Sequence, residues 1–117
     1  MHPFPVVRIA GAIYGRGVRI NVLSVKTRRG ATVKVMCSGR GCPRRAVTLK
    51  VARTKAPVRV RAFERFLRKG VVLRVWVTKK HRIGKFTRFV IRGGAAPVRR
   101  DLCQRWRALR PIRCPGA

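Results

Sequence analysis

Residues 71–77 read Val-Val-Leu-Arg-Val-Trp-Val, and this stretch decides the fold. Val71, Leu73, Val75 and Val77 fall on one face of an extended chain, with Val72, Arg74 and Trp76 on the other. A period of two with one apolar face is the mark of a half-buried antiparallel strand. The run is rich in β-branched residues, which favour a pleated surface. The same period recurs on both sides of it. Val47, Leu49 and Val51 alternate with Thr48 and Lys50. Phe86, Arg88, Val90 and Arg92 alternate with Thr87, Phe89 and Ile91. Thr32–Cys37 and Val58–Ala62 alternate too.

Seven strands are therefore expected, at about 6–14, 18–26, 31–37, 46–53, 57–61, 71–78 and 85–92. Between them lie Gly, Pro and charged turn signals at intervals of roughly 8–12 residues. Short strands so spaced predict an all-β chain: an antiparallel, immunoglobulin-like β-sandwich. One segment breaks the period. In residues 62–70, Ala-Phe-Glu-Arg-Phe-Leu-Arg-Lys-Gly, the apolar Phe63, Phe66 and Leu67 sit at helical spacing. A short helical turn near 63–69 is expected there, its apolar residues in the core and Gly70 as its stop. After Arg92 the alternation ends, so 94–117 reads as an irregular basic tail. The expected organisation is a lead-in at 1–5, a sandwich at 6–93 and that tail.

The charge is the dominant compositional fact. The chain has 117 residues, 31 of them Lys or Arg and only two acidic, Glu64 and Asp101, for a net charge of +29. Self-repulsion on this scale opposes compaction and self-association. It also attracts any polyanion. Arginine exceeds lysine 23 to 8, and guanidinium groups grip phosphate and carboxylate through paired hydrogen bonds. No run of about 20 apolar residues is present, so no membrane-spanning helix is expected. The opening residues lack a continuous apolar core, Arg8 interrupting the best stretch, so no secretion signal is expected in them.

Four cysteines fall as two local pairs, Cys37 with Cys42 and Cys103 with Cys114. Four cysteines allow three connectivities. Sequence proximity favours the local pairing, with Ser38-Gly39-Arg40-Gly41 supplying a flexible return between the first two. Zinc prefers pairs two to four residues apart, a spacing that the second pair misses. A thioredoxin-type redox pair needs two intervening residues, which neither pair has. Structural disulfides are the favoured reading, and they point to an oxidising compartment, hence an extracellular or cell-surface setting. The alternative is an intracellular protein with four free thiols.

Taken together, Cys37, Gly41, Cys42 and Pro43, then Leu67 and Gly70, then Ile83, Gly84 and Lys85, then Cys103 and Cys114 carry a resemblance. The chain resembles a small Arg-rich, four-cysteine β-domain that recurs in secreted and surface proteins of GC-rich soil bacteria. His81 stands where that group usually has Gly. The resemblance covers nearly the whole chain and rests on turns and cysteines, so it implies a fold and a setting, not a reaction.

No catalytic constellation is visible. Glu64 and Asp101 lie far apart in sequence, His81 sits in a basic turn, and the cysteines are better used as staples. A non-enzyme without metal or cofactor is expected. The expected partners are anionic polymers: wall phosphates or acidic glycans of the envelope, or nucleic acid bound without sequence preference. The candidate contact residues are Arg28, Arg29, Arg44, Arg45, Arg59, Arg61, Arg74, Lys79, Lys80, Arg88, Arg105 and Arg107, with Lys34 and Lys50 as further outward strand charges. Trp106, between the last two arginines, is a candidate for stacking on a base. The chain is expected to act as a monomer or as part of a larger secreted protein.

Overall fold

The computed structural model describes residues 5–52, 57–80, 84–104 and 111–113. Among these residues nine antiparallel strands form two sheets. The first sheet contains β1 (Val6–Tyr14), β2 (Gly17–Lys26), β5 (Val58–Arg59) and β6 (Phe66–Arg68). The second contains β3 (Thr32–Ser38), β4 (Ala46–Lys50), β7 (Val72–Thr78), β8 (Gly84–Val90) and β9 (Val98–Gln104), in the order β4-β3-β7-β8-β9.

The period of two does what the sequence suggests. Val33, Val35 and Cys37 of β3 pair with Val77, Val75 and Leu73 of β7, and all six point inward and are buried. From the other sheet Val7, Val18, Ile20, Leu23, Val25, Val60 and Leu67 meet them in one continuous core. Each such side chain contributes about 1.5–3 kcal/mol by leaving water. Leu49 and Val47, on edge strand β4, are only half-buried, because an edge strand has sheet cover on one side alone. A bulge in β1 at Ala10–Gly11 shifts its register against β2. Only glycine fits at the second position, since a Cβ there would collide with the Arg19 carbonyl.

Two expectations are corrected. The segment expected as a helical turn at 63–69 is a short 3-10 turn at Arg61–Phe63 followed by the strand β6. Phe63 and Leu67 are buried, but Phe66 is 38% exposed. The helical spacing was coincidental, and the strand pleat turns Leu67 inward and Phe66 outward. Together β5, the 3-10 turn and β6 form one interrupted strand along β2.

The second correction concerns the tail. Val98–Gln104 is the regular strand β9, in register with β8 over all seven of its residues. Its inward face carries Arg99, Asp101 and Cys103 opposite Phe89, Thr87 and Lys85. Charged groups replace the apolar half of the period there, which is why alternating hydrophobicity did not reveal the strand. Beyond it, Ile112 forms a bridge with Cys103 through two backbone hydrogen bonds of 2.6 Å.

Cys37 and Cys42 form a disulfide, with Cα atoms 5.9 Å apart. The chain reverses between them through Gly39 and Gly41, both at positive φ, which glycine adopts without the Cβ penalty. Cys103 is also disulfide-bonded. Cys114, its expected partner, lies outside the described residues.

Candidate polyanion-binding surface

The pairing register of the second sheet places three arginines side by side on its outer face. Arg74 of β7 lies opposite Arg88 of β8, and Arg88 lies opposite Arg100 of β9. Directly opposed residues have Cβ atoms about 4.5–5.5 Å apart. Met36 continues the row on β3, opposite Arg74. Arg88 and Arg100 are exposed, and Arg74 is half-buried with its guanidinium donating to Ser38 Oγ at 3.3 Å. The adjacent row is Lys34, Trp76, Phe86 and Leu102. Trp76 and Phe86 pack with ring centroids 5.1 Å apart, Phe86 only 6% exposed beneath the surface and Trp76 half-buried. On the opposite face Arg99 lies over the Phe89 ring, 5.3 Å from its centre.

Like charges directly opposed across strands destabilise a sheet, so this row needs a counter-charge. Among the described residues none is supplied. Both of its acids are committed elsewhere. Glu64, its side chain 8% exposed, accepts from Leu23 N–H at 3.0 Å and from Arg59 Nε and Nη2 at 2.9 and 3.0 Å. Burial works to raise its pKa, but the Arg59 hydrogen bond, the Leu23 N–H and the charges of Arg59 and Arg61 together hold it below its ordinary value.

Asp101 points to the inward side of β9, away from the arginine row. It accepts from Thr87 Oγ1 at 2.8 Å and from Arg99 at 2.8 and 3.1 Å, with Lys85 Nζ at 3.4 Å. Burial again raises its pKa. The hydrogen bonds from Arg99 and Thr87 and the charges of Lys85 and Arg99 lower it further still, so the net shift is downward.

The remaining candidate residues divide by position. Arg59 is exposed but already paired within the fold, clamping Glu64 and donating to the Asn21 carbonyl at 3.0 Å. Arg61 is exposed in the 3-10 turn. Arg29 meets Lys79 at one end of the sandwich, where Lys79 Nζ donates to the Arg29 carbonyl at 3.2 Å; Arg28 is half-buried and Lys80 exposed. Arg44 and Arg45 are exposed before β4, and the Arg45 carbonyl accepts from Cys37 N–H at 2.8 Å. Lys34 and Lys50 are exposed on the outer face of the second sheet, as expected. Arg105, Trp106, Arg107 and His81 lie outside the described residues.

Of the expected contact residues, the fold therefore aligns Arg74 with Arg88. It adds Arg100, which the tail reading passed over. The available signal was Pro97 followed by Val98-Arg99-Arg100, a strand start after a proline. Among the described residues no helix is long and apolar enough to cross a membrane. Comparison with models of protein families, with curated proteins and with solved structures gives no match to this chain.

Proposed function

We propose that this chain is a non-catalytic, highly basic β-sandwich module, secreted or displayed at the cell surface, that binds anionic polymers of the envelope. The observation that carries the reading is the row Arg74–Arg88–Arg100: three arginines in direct register and, among the described residues, without a carboxylate partner. An extended polyanion crossing the strands meets all three and relieves their mutual repulsion. Its affinity comes from released counterions and so depends on salt. The Cys37–Cys42 disulfide is compatible with an oxidising compartment. The resemblance to secreted Arg-rich β-domains points the same way. Support for a non-catalytic role comes from the acids, since both carboxylates are spent in hydrogen bonds that hold strands together.

A second reading, non-specific nucleic-acid binding, is favoured by Trp76, a half-buried aromatic one row from the arginines. The two separate in a competition at about 150 mM salt among duplex DNA, a heparin-like glycan and a glycerol-phosphate polymer. Binding without large preference supports the envelope module. A preference of about a thousandfold for one duplex sequence overturns it in favour of a base-reading protein. The setting is tested by alkylation of freshly isolated protein, with and without reductant. Free thiols at Cys37 and Cys42 would contradict an oxidising compartment.

A further inference from the structure

The outer face of the first sheet carries a feature that the arginine row does not explain. Tyr14 and Phe66 are 51% and 38% exposed, and their rings meet edge to face with centroids 6.2 Å apart. Cations surround the pair through strand register. Arg19 of β2 lies directly opposite Phe66, and Arg68 lies in the row of Tyr14 with only the side-chain-less Gly17 between them. Phe66 and Arg68, two apart on β6, share a face. Two grooves join here. One is lined by Tyr14, Gly15, Arg16, Arg19 and Phe66, the other by Arg16, Arg40, Arg68 and Lys69. Arg16 lines both, so the rings and the second group of cations flank one side chain. Neither acid of the chain lines either groove. Backbone bonds fix the turns that present them: Lys69 N–H donates to the Arg16 carbonyl at 2.9 Å, and Gly94 N–H to the Tyr14 carbonyl at 2.8 Å.

We infer that this end of the sandwich is a binding site for single-stranded polynucleotide, with a base against Tyr14 and Phe66 and backbone phosphates in the cleft of Arg16, Arg40, Arg68 and Lys69. The site is separate from the arginine row and goes beyond general polyanion binding. Charge alone does not distinguish one polyanion from another. Exposed aromatic rings do, because a single strand offers free base faces while a duplex keeps its bases stacked inside and a sulfated glycan has none. Aromatic rings set beside a basic groove are the combination that sequence-tolerant single-strand binding uses.

The test is fluorescence anisotropy of labelled oligo(dT) on the full chain at about 150 mM salt, with duplex DNA and a heparin-like glycan as competitors. We expect oligo(dT) to bind about tenfold or more tighter than duplex of equal length, and Tyr14→Ala/Phe66→Ala to abolish that preference while changing glycan affinity by less than about twofold. Tyr14→Phe/Phe66→Tyr should retain it. Ultraviolet cross-linking of bound oligo(dT) to the unmodified chain should mark the peptides carrying Tyr14 or Phe66, a readout that does not depend on a variant folding. If oligo(dT) and duplex compete equally, or if adducts fall only elsewhere, the inference is wrong. Should glycan and duplex still bind in that case, the polyanion reading survives without it; should no polymer bind, both fail.

Discussion

The backbone N–H of Leu23 donates to Glu64 Oε2 at 3.0 Å, across 41 residues of sequence. The bond sits at a gap in a sheet. Below it, β2 pairs with β6 through Gly17–Arg19, and above it with β5 through Ser24–Val25. Between these the neighbouring strand is broken by the 3-10 turn that drives Phe63 into the core. The break would leave the Leu23 N–H without its ladder partner. A carboxylate takes the place of the missing carbonyl, and Arg59 holds that carboxylate in position. One of only two acids in a chain of net charge +29 is thus spent on repairing the sheet.

Replacing this acid should therefore be costly. We expect Glu64→Ala to destabilise the fold by about 1–3 kcal/mol, since it orphans a shielded backbone donor. Glu64→Gln keeps an acceptor for Leu23 N–H and should cost less. Denaturant titration of both variants checks this; equal costs would mean that the ion pair with Arg59, not the backbone bond, is what matters.

Acid should act on the same contact. Both carboxylates have pKa values lowered by folding, so each favours the folded state above its unfolded value, 4.5 for Glu64 and 3.8 for Asp101. That contribution is lost as pH falls through the lower folded values. Protonation also adds to an already large positive charge. The denaturation midpoint should drop below about pH 4.5, and Glu64→Gln should show a shallower drop. Equal midpoints for the unmodified chain at about pH 3 and pH 6 would contradict it.

The disulfide and the core are each expected to contribute to stability. Cys37→Ser/Cys42→Ser releases a short loop, and the chain-entropy model gives a loss of about 2 kcal/mol. Val75→Ala, at a fully buried site in the middle of the second sheet, should cost about 1–3 kcal/mol through lost transfer energy and a cavity. The two sites lie in one core cluster, so a thermal melt of the triple variant reads how far the losses add.

Most of the sandwich was legible because its inner residues are Val, Leu and Ile in strict alternation, as in β3 and β7. Where polar chemistry fills an inward position, the pattern disappears. β9 hides behind Arg99 and Asp101, which pair with each other, while Asp101 also accepts from Thr87 and faces Lys85 across the pair. β6 hides because Phe63, Phe66 and Leu67 imitate a helix. The candidate surface was legible only in part for the same reason. Arg74 and Arg88 stood out as outward residues of clear strands, but their alignment is a fact of register, which no single strand contains. Arg100 required β9 to be seen first. Arg59 read as an outward charge, and only the fold reveals its carboxylate partner.

The arginine row should show opposite signs in stability and binding. Arg88 lies between two like charges, so Arg88→Thr should stabilise the sheet by about 0.2–1 kcal/mol while weakening polyanion binding. A denaturant midpoint that falls instead would mean that the row is not under electrostatic strain in the free protein.

Duplex DNA and other polyanions without free base faces are expected to be held by this row and not by diffuse charge. The direct measurement is the slope of log affinity against log salt for duplex DNA, compared between two variants of equal charge. One is Arg74→Gln/Arg88→Gln/Arg100→Gln. The other removes three exposed cations away from the row, Arg8→Gln/Lys26→Gln/Arg65→Gln. Each lost phosphate contact lowers the slope by about 0.9. The row variant should therefore lose about two to three units of slope, and the other variant less than about one. Equal losses in the two would contradict the claim.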